Sequence, residues 1–386
     1  MAVQVSVGLS ESFDAVEAFS DAAAEAAGKL AAPCDLCLVF AGAPHLGHGK
    51  WILSVVHEKL APRYLIGCGA GGVVGGGREI EEGPAAVVWA ASMPGAKIST
   101  HHFEVEQAGD GFEVLGLPEP DQLGEAMVLL ADPYSFTTEA LLQRLEEMRP
   151  GMPVLGGLAS ASAVGSAALF RDGEVVSGGA VACTLGGVPI LPSVSQGAAP
   201  VGPEMTITAA HGNVIEELAS KAAIERIEEA IAVLDARQQQ LAAAGLMLGI
   251  VIDENQPEYG RGDFLIRPII GADPEAGTIA VGERVRVGQT VRVHIRDGAS
   301  ADEDLRDALR TQVEALGPSR PAGALLFTCN GRGSHMFDVP DHDATAIEDA
   351  LGVPAGGFFC AGEIGPVGGR NFLHGFTATT ALFPVE

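Results

Sequence analysis

The sequence predicts an α/β protein with mixed sheets flanked by helices, arranged as two domains built from three related β-loop-α-β-loop-β units. The first observation is a recurring order of strand, loop, helix, strand, small-residue loop and closing strand near residues 35–92, 126–186 and 323–383. The second is the spacing, since roughly 30 to 37 residues run from the first strand to the small-residue loop in each copy, within the range of repeated supersecondary units. The third is that strands such as residues 126–131 are apolar throughout, which is typical of strands covered on both faces.

The first unit follows an alternating strand and an amphipathic helix. Its first strand runs into a loop that contains His45, His48 and Lys50, which either bind an anion near a helix N-terminus or have no ligand. Its second strand runs into the glycine-rich residues 67–77. These glycines lack the Gly-x-x-x-x-Gly-Lys-Ser/Thr pattern of a phosphate loop and do not open a long helix, as a dinucleotide fingerprint requires. The glycine tract therefore does not predict a nucleotide site.

The second and third units repeat this order. In the second unit, the Asp172-Gly173 turn predicts a hairpin over residues 168–185. In the third unit, two apolar runs at residues 324–329 and 358–360 each end beside glycines and polar residues. Such strand ends are where an α/β scaffold usually presents a site.

A helical region separates the second unit from the third. Residues 221–234 carry apolar side chains at i, i+3, i+7 and i+10, and the pattern continues over residues 237–244. We expect one long helix here, joining two domains that comprise residues 1–220 and 221–386.

Composition favours a cytoplasmic protein that binds neither nucleic acid nor membrane. The 386 residues carry a formal net charge of −27, and no basic block offsets it. The six cysteines are scattered, unlike a disulfide framework, and the pair Cys34 and Cys37 lacks a second pair at zinc spacing. No apolar run approaches the ~18 residues of a membrane span. We therefore expect a soluble cytoplasmic chain without a metal site.

Motifs spread over nearly the whole chain point to one known family. They are Val194-Ser195-Gln196-Gly197, Gly212-Asn213-Val214-Ile215-Glu216-Glu217-Leu218, Phe327-Thr328-Cys329-Asn330-Gly331-Arg332, Ala361-Gly362-Glu363-Ile364 and Asn371-Phe372-Leu373-His374-Gly375-Phe376-Thr377. Together they resemble the FIST sensory domain family in its N-terminal plus C-terminal form, with residues 1–220 similar to the N-terminal domain and residues 221–386 similar to the C-terminal domain. The resemblance implies an intracellular sensory module that binds a small ligand, with amino acids the usual suggestion, and that acts through a separate signalling protein.

The third unit carries the predicted ligand site. A helical crossover makes its two strands parallel, so the loops that follow them should emerge at the same edge of the sheet. There Arg332 could clamp a carboxylate and Glu363 could accept an ammonium group, which suits a zwitterionic amino acid. The alternative is that Arg332 and Glu363 pair with each other and only hold two loops together. The full predicted set is Cys329, Arg332, Gly362, Glu363, Asn371 and His374.

Two other functions compete with ligand binding, beside a scaffold that only binds protein. An enzyme would use Cys329 as a nucleophile and His374 as its base, which requires a lowered thiol pKa. A haem-dependent gas sensor, which the family resemblance suggests, needs an axial ligand, usually His. Our expectation is no catalytic residue, no metal and no cofactor, with haem as the exception to test. The candidate haem ligands are His45, His48, His101, His102, His335, His342 and His374.

Overall fold

A computed structural model describes residues 2–109, 111–160, 168–260 and 262–385. The chain forms two compact units that do not follow chain order. The core unit comprises Met1–Val194 together with Arg306–Glu386, and the inserted unit comprises Ser195–Leu305. The division of the sequence at residue 220 stays a prediction, because these units are defined by spatial contacts rather than by segments of sequence.

The first repeat begins after an N-terminal strand and helix. Asp14 caps that helix by accepting a hydrogen bond from the backbone of Glu17 at 2.9 Å. The elements are β1 (Gln4–Ser10), α1 (Ala15–Lys29), β2 (Leu36–Gly42), α2 (Gly49–Leu60), β3 (Tyr64–Ala70), β4 (Val73–Gly75), β5 (Arg78–Ile80) and β6 (Ala86–Ser92). The loop between β2 and α2 is a short 3₁₀ helix, Ala43–His48.

The second repeat follows a long antiparallel pair of strands. The predicted Asp172-Gly173 turn closes a hairpin, with Asp172 in the left-handed conformation that such a tight turn requires. The hairpin ends at Ser177, however, and residues 180–185 of the predicted hairpin lie in a separate strand in another sheet. The elements are β7 (Lys97–Ala108), β8 (Gly111–Leu115), β9 (Ala126–Ala131), α3 (Thr138–Met148), β10 (Val154–Leu158), β11 (Ala168–Arg171), β12 (Glu174–Ser177) and β13 (Ala180–Gly186).

The inserted unit separates the second repeat from the third. The elements up to its end are β14 (Leu191–Gln196), β15 (Ala198–His211), β16 (Val214–Leu218), β17 (Lys221–Ala222), α4 (Ala223–Ala232), α5 (Ala236–Ala244), β18 (Leu246–Val251), β19 (Phe264–Asp273), β20 (Thr278–Val281), β21 (Thr290–Arg296) and α6 (Gly298–Leu316). Its strands pair antiparallel in the order β15-β21-β18-β19-β20-β16-β17, and β15 also pairs with β16.

The prediction of one long helix over residues 221–244 is wrong, because two helices, α4 and α5, form there. Asp235 accepts a hydrogen bond from the backbone of Gln238, and the Gln238 side chain accepts one from the backbone of Asp235. This capping box starts a new helix and satisfies backbone donors that a continuous helix would have paired internally.

The third repeat completes the core unit. Its elements are β22 (Arg320–Cys329), α7 (His342–Leu351), β23 (Ala355–Cys360), β24 (Glu363–Val367), β25 (Arg370–His374) and β26 (Thr377–Val385). A 3₁₀ turn, Gly333–His335, lies between β22 and α7.

The three repeats share one strand order, which confirms the predicted α/β class built from related units. In each repeat the first two strands are parallel: β2 with β3, β9 with β10 and β22 with β23. In each, the closing strand lies antiparallel on the other side of the first strand: β6, β13 and β26. These strands are buried along their length, as their continuous apolar sequences predict.

Each repeat also gives a hairpin to the sheet of another repeat. Hairpin β4–β5 of the first repeat joins β23 of the third, β11–β12 of the second joins β3 of the first, and β24–β25 of the third joins β10 of the second. The exchange is cyclic, so the second strand of every repeat is flanked by backbone from a different repeat. Residues distant in sequence are thereby brought to the strand ends of the third repeat.

Within the described residues, no helix is both long enough and apolar enough to cross a membrane.

Candidate functional site

The strand ends of the three repeats meet at one place in the core unit. In the third repeat, the backbone N–H of Asn330 donates to the carbonyl of Cys360 at 2.9 Å, so its two loops lie side by side. The Ser160 hydroxyl of the second repeat accepts from the backbone of Gly71 at 2.8 Å and donates to the carbonyl of Phe359. Small residues at these loops allow the backbones to approach closely.

Arg332 is held by Asp343 in a fully buried ion pair. Arg332 follows β22, and its Nε and Nη2 donate to Asp343 Oδ2 and Oδ1 at 2.7 and 2.8 Å. Asp343 lies in the first turn of α7 and also accepts from the hydroxyl of Thr328 at 2.7 Å. Burial alone would raise the pKa of Asp343, but the guanidinium of Arg332 outweighs burial and holds that pKa below its usual range. Both groups are therefore charged at neutral pH.

Glu363 is a fully buried carboxyl with only one oxygen hydrogen bonded. Its Oε2 accepts from the backbone N–H and the hydroxyl of Thr377 at 3.1 and 2.9 Å. Its Oε1 has no hydrogen-bond partner among the described residues. Burial raises the pKa of Glu363 to about 8, against the opposing effects of hydrogen bonds from Thr377 and from the Cys329 side chain and of the charge of Arg332. Glu363 is therefore mostly protonated at neutral pH.

The exchanged hairpin of the first repeat adds a third buried acid. Glu79 on β5 accepts from the backbone of Ala344 at 2.9 Å, which places its carboxylate at the N-terminus of α7. Burial, followed by the negative charge of Asp343, raises the pKa of Glu79 to about 7. Its Oε2 is buried without a hydrogen-bond partner among the described residues. Glu79 thus supports the helix that carries Asp343.

Arg332 forms its ion pair with Asp343, so it does not hold the two loops together through an ion pair with Glu363. The charges of Arg332 and Glu363 nevertheless influence each other. Arg332 also lies over the Phe337 ring, with its Cζ 5.1 Å from the ring centroid. Its Nη1 remains buried without a hydrogen-bond partner among the described residues. Arg332 Nη1 and Glu363 Oε1 are therefore both buried polar atoms without a hydrogen-bond partner among the described residues.

The remaining predicted residues divide between the site and its surroundings. Gly362 lies beside Glu363, and its carbonyl accepts from the backbone of Leu158 at 2.8 Å. His374 pairs in register with Glu363, and its Nε2 donates to the carbonyl of Gly365 at 3.0 Å.

Asn371 instead lies further along the hairpin. It pairs in register with Pro366, three positions from Glu363, which is roughly 10 Å along a strand. Its side chain donates to the carbonyl of Met152 at 2.7 Å and accepts from the backbone of Val154 at 2.8 Å. These bonds tie the exchanged hairpin to the start of β10.

Two residues of the cluster, Asp343 and Glu79, are absent from the predicted set. Asp343 had a usable signal, because an acidic residue in the first turn of a helix that follows a charged strand-end loop lies near that loop. Glu79 had none, because only the exchange of hairpins brings the first repeat to the third.

Most of the histidines considered as haem ligands contact other groups of the protein. His101 contacts the hydroxyl of Thr184 at 3.1 Å, and His102 donates to the carbonyl of Gly178 at 3.1 Å. His342 contacts Asp343 at 2.9 Å and stacks on the ring of Phe337, with the centroids 3.5 Å apart. The buried ring of His45 packs edge-on against Phe19, and burial lowers its pKa. These contacts orient the rings toward protein atoms.

Cys329 is expected not to react with iodoacetamide at neutral pH in the folded protein. Burial raises the pKa of its thiol to about 12, and the nearby charge of Glu363 adds to the rise, whereas a nucleophile needs a lowered pKa. Mass spectrometry of alkylated peptides measures the outcome, with the guanidinium-denatured chain as the positive control. Rapid alkylation of Cys329 in the folded chain would contradict the described environment and restore the nucleophile hypothesis.

Comparisons with known proteins agree over nearly the whole chain. A model described as the FIST N domain matches residues 35–221, and one described as the FIST C domain matches residues 223–366. An uncharacterized protein of Mycobacterium tuberculosis strain H37Rv is 43% identical over 384 residues, which cover 99% of this chain and 100% of the relative. An uncharacterized protein of Mycobacterium bovis is 41% identical over 384 residues, which cover 99% of both chains.

Proposed function

The chain belongs to the FIST family of sensory-type domains, and from this membership we propose that it binds a small polar ligand, an amino acid or a similar zwitterion, at the cluster formed by Arg332 and Glu363. The proposed function is sensing, with the signal passed to a separate protein. The proposed binding uses protein groups and needs no cofactor.

The observation that carries the proposal is the pair of unused polar atoms in a buried cluster. Buried polar atoms are almost always hydrogen bonded, so Arg332 Nη1 and Glu363 Oε1 are exceptions that call for a reason. One is a cationic donor and the other belongs to a carboxyl, which matches a ligand with a carboxylate and an ammonium group. The chain neighbours Asn330 and Ala361 are exposed, so the cluster lies close beneath the surface.

The cluster is also held rigidly before any ligand arrives. Asp343 fixes the guanidinium through two hydrogen bonds, and Thr377 fixes the Glu363 carboxyl through two more. Groups that are already oriented lose little conformational entropy when they bind, which favours affinity for a small ligand. Asp343 therefore has a positioning role in this proposal.

A separate signalling partner is the second part of the proposal, and it rests on membership in a family of sensory-type domains. We propose that ligand binding changes how the core unit engages that partner.

A thermal-shift screen of the twenty amino acids is expected to find at least one stabilising ligand. Binding to the native state alone adds about 2.7 kcal/mol of stability at a hundred times the dissociation constant. Glu363→Gln keeps the size of the side chain and an acceptor for Thr377, but unlike the carboxyl of Glu363 it cannot ionise when an ammonium group binds beside it. We expect this variant to lose most of the ligand-induced shift.

Glu174→Gln on the exposed β11–β12 hairpin is the matched control, and it should retain the shift. If no amino acid stabilises the chain, or if Glu363→Gln responds like the unaltered chain, the proposed ligand class and site are wrong.

A further inference from the structure

A concave surface lies along the outer edge of the first sheet of the core unit, whose strand order is β1-β6-β2-β3-β11-β12. It is a cleft of about 810 Å³ between α2, β7 and the β11–β12 hairpin. This volume is within the range of ligand-binding clefts. None of the residues that line it belongs to the cluster of Arg332 and Glu363, so its occupant is independent of the ligand proposed above.

The floor of the cleft is an edge strand. In the described part of the chain, β12 ends the first sheet and has β11 as its neighbour. Arg171 and Glu174 flank the two-residue turn and form the hydrogen-bonded pair that closes it. Since bonding alternates along an antiparallel pair, the backbone groups of Val175 and Ser177 are directed outward, into the cleft. Such groups are a template for another strand.

The hairpin that carries this edge is anchored at both ends. The Asp172 carboxylate in the turn accepts from the backbone of Leu65 at 3.0 Å and from the hydroxyl of Thr100 at 2.7 Å. At the other end, the ring of His102 donates to the carbonyl of Gly178 at 3.1 Å. The edge is therefore already in place before a partner arrives, which lowers the entropic penalty of binding.

The cleft has two walls of opposite charge. Successive side chains of β12 point to opposite faces of the strand. Val175 packs against α2 at Gly49, and Val176 packs against the central core on the other face. The α2 wall presents Lys50, Ser54 and His57, and the β7 wall presents His102 and Glu104. Arg171 and Glu174 neutralise each other at 3.1 Å. Lys50 and Glu104 have no ion-pair partner among the described residues, which leaves one cation on the α2 wall and one anion on the β7 wall.

We propose that an extended segment of a partner protein adds to β12 as a further strand, with acidic side chains toward α2 and basic side chains toward β7. The backbone of Val175 and Ser177 supplies the pairing, as in other complexes formed by strand addition. Side chains alternate between the two faces of a strand, so the segment that fits has acidic and basic residues in alternation.

Two libraries of ten-residue peptides with the same composition test this inference on the full chain. One has Glu-Lys-Glu-Lys at its centre, and the other has Glu-Glu-Lys-Lys. The alternating library is expected to yield binders at least about ten-fold tighter, a difference of about 1.4 kcal/mol. Those binders should slow hydrogen exchange of the Val175 and Ser177 amides.

Variants of exposed residues locate the binding. Lys50→Glu is expected to weaken the selected peptides about ten-fold, because it places a like charge on the α2 wall. Lys59→Glu is the matched control, since Lys59 lies on the same helix, outside the cleft, beside Glu58 at 3.3 Å. Val175→Pro removes an outward N–H and should abolish the protection of the Ser177 amide.

Equal binding from the two libraries, or binding that Lys50→Glu leaves unchanged, would overturn the proposal. A chain that sediments as a dimer, and that Val175→Pro converts to a monomer, would also overturn it, because a second copy would then occupy the edge.

Discussion

Asp343→Ala is expected to destabilise the protein by about 3–5 kcal/mol, because it leaves the guanidinium of Arg332 buried without its counter-ion. Arg332 and Asp343 are both fully buried and share two hydrogen bonds. The expected loss includes the desolvation of a lone charge, which is larger than the net contribution of the intact pair. Chemical denaturation of the full chain measures the effect.

The exposed pair of Arg144 and Glu147 provides the control. Both side chains are more than half exposed, so Glu147→Ala should change stability by less than about 1 kcal/mol. The double variant Arg332→Met with Asp343→Leu should be more stable than the sum of the single variants predicts, because neither charge is then left alone. Additive losses would show that the two side chains do not act as a pair.

Glu363→Gln is expected to flatten the dependence of stability on pH. The folded pKa of Glu363 is about 8, above its usual value of 4.5, so the folded state binds more protons between these values. The stability that Glu363 contributes is therefore complete below about pH 4.5 and is lost as pH rises through 8. At about 1.4 kcal/mol for each unit of pKa, the loss amounts to several kcal/mol. The side-chain amide of the Glu363→Gln variant cannot ionise, so the variant does not lose this stability as pH rises.

The measurement is the difference in unfolding free energy between the unaltered chain and Glu363→Gln at pH 5, 7 and 9. The unaltered chain should lose stability relative to the variant as pH rises. Glu79, whose pKa is raised to about 7, adds a decline of the same sign that both proteins share. Glu147→Gln, at an exposed position, should show no such trend. A difference that is constant with pH would show that Glu363 is already ionised in the folded protein.

Two residues of the buried cluster, Arg332 and Glu363, were predicted from the sequence, and two others, Asp343 and Glu79, were not. Arg332 and Glu363 stand directly after apolar strands, so local pattern identified them as strand-end groups, and both lie in the buried cluster. Asp343 was missed although its place in the first turn of the helix after the Arg332 loop was a usable signal. Glu79 was missed because its hairpin belongs to the sheet of another repeat.

The sequence by itself determined the class of fold and the order of strands in each repeat. Continuous apolar runs mark buried strands, small-residue loops mark their ends, and the Asp172-Gly173 turn marks a hairpin, and each of these signals is local. Family motifs in the same sequence identified the FIST resemblance that the family matches confirm.

Only the tertiary structure decided which charges meet and which protons they hold. The exchange of hairpins places Glu79 beside α7, the packing of α7 against β22 pairs Arg332 with Asp343, and Glu363 is buried with one oxygen without a hydrogen-bond partner among the described residues. The physical reason is that pKa values and ion pairs depend on burial and distance, and both are set by tertiary contacts, which join residues 11 positions apart in the case of Arg332 and Asp343 and 265 positions apart in the case of Glu79 and Ala344. Such contacts leave no periodic signature in the chain.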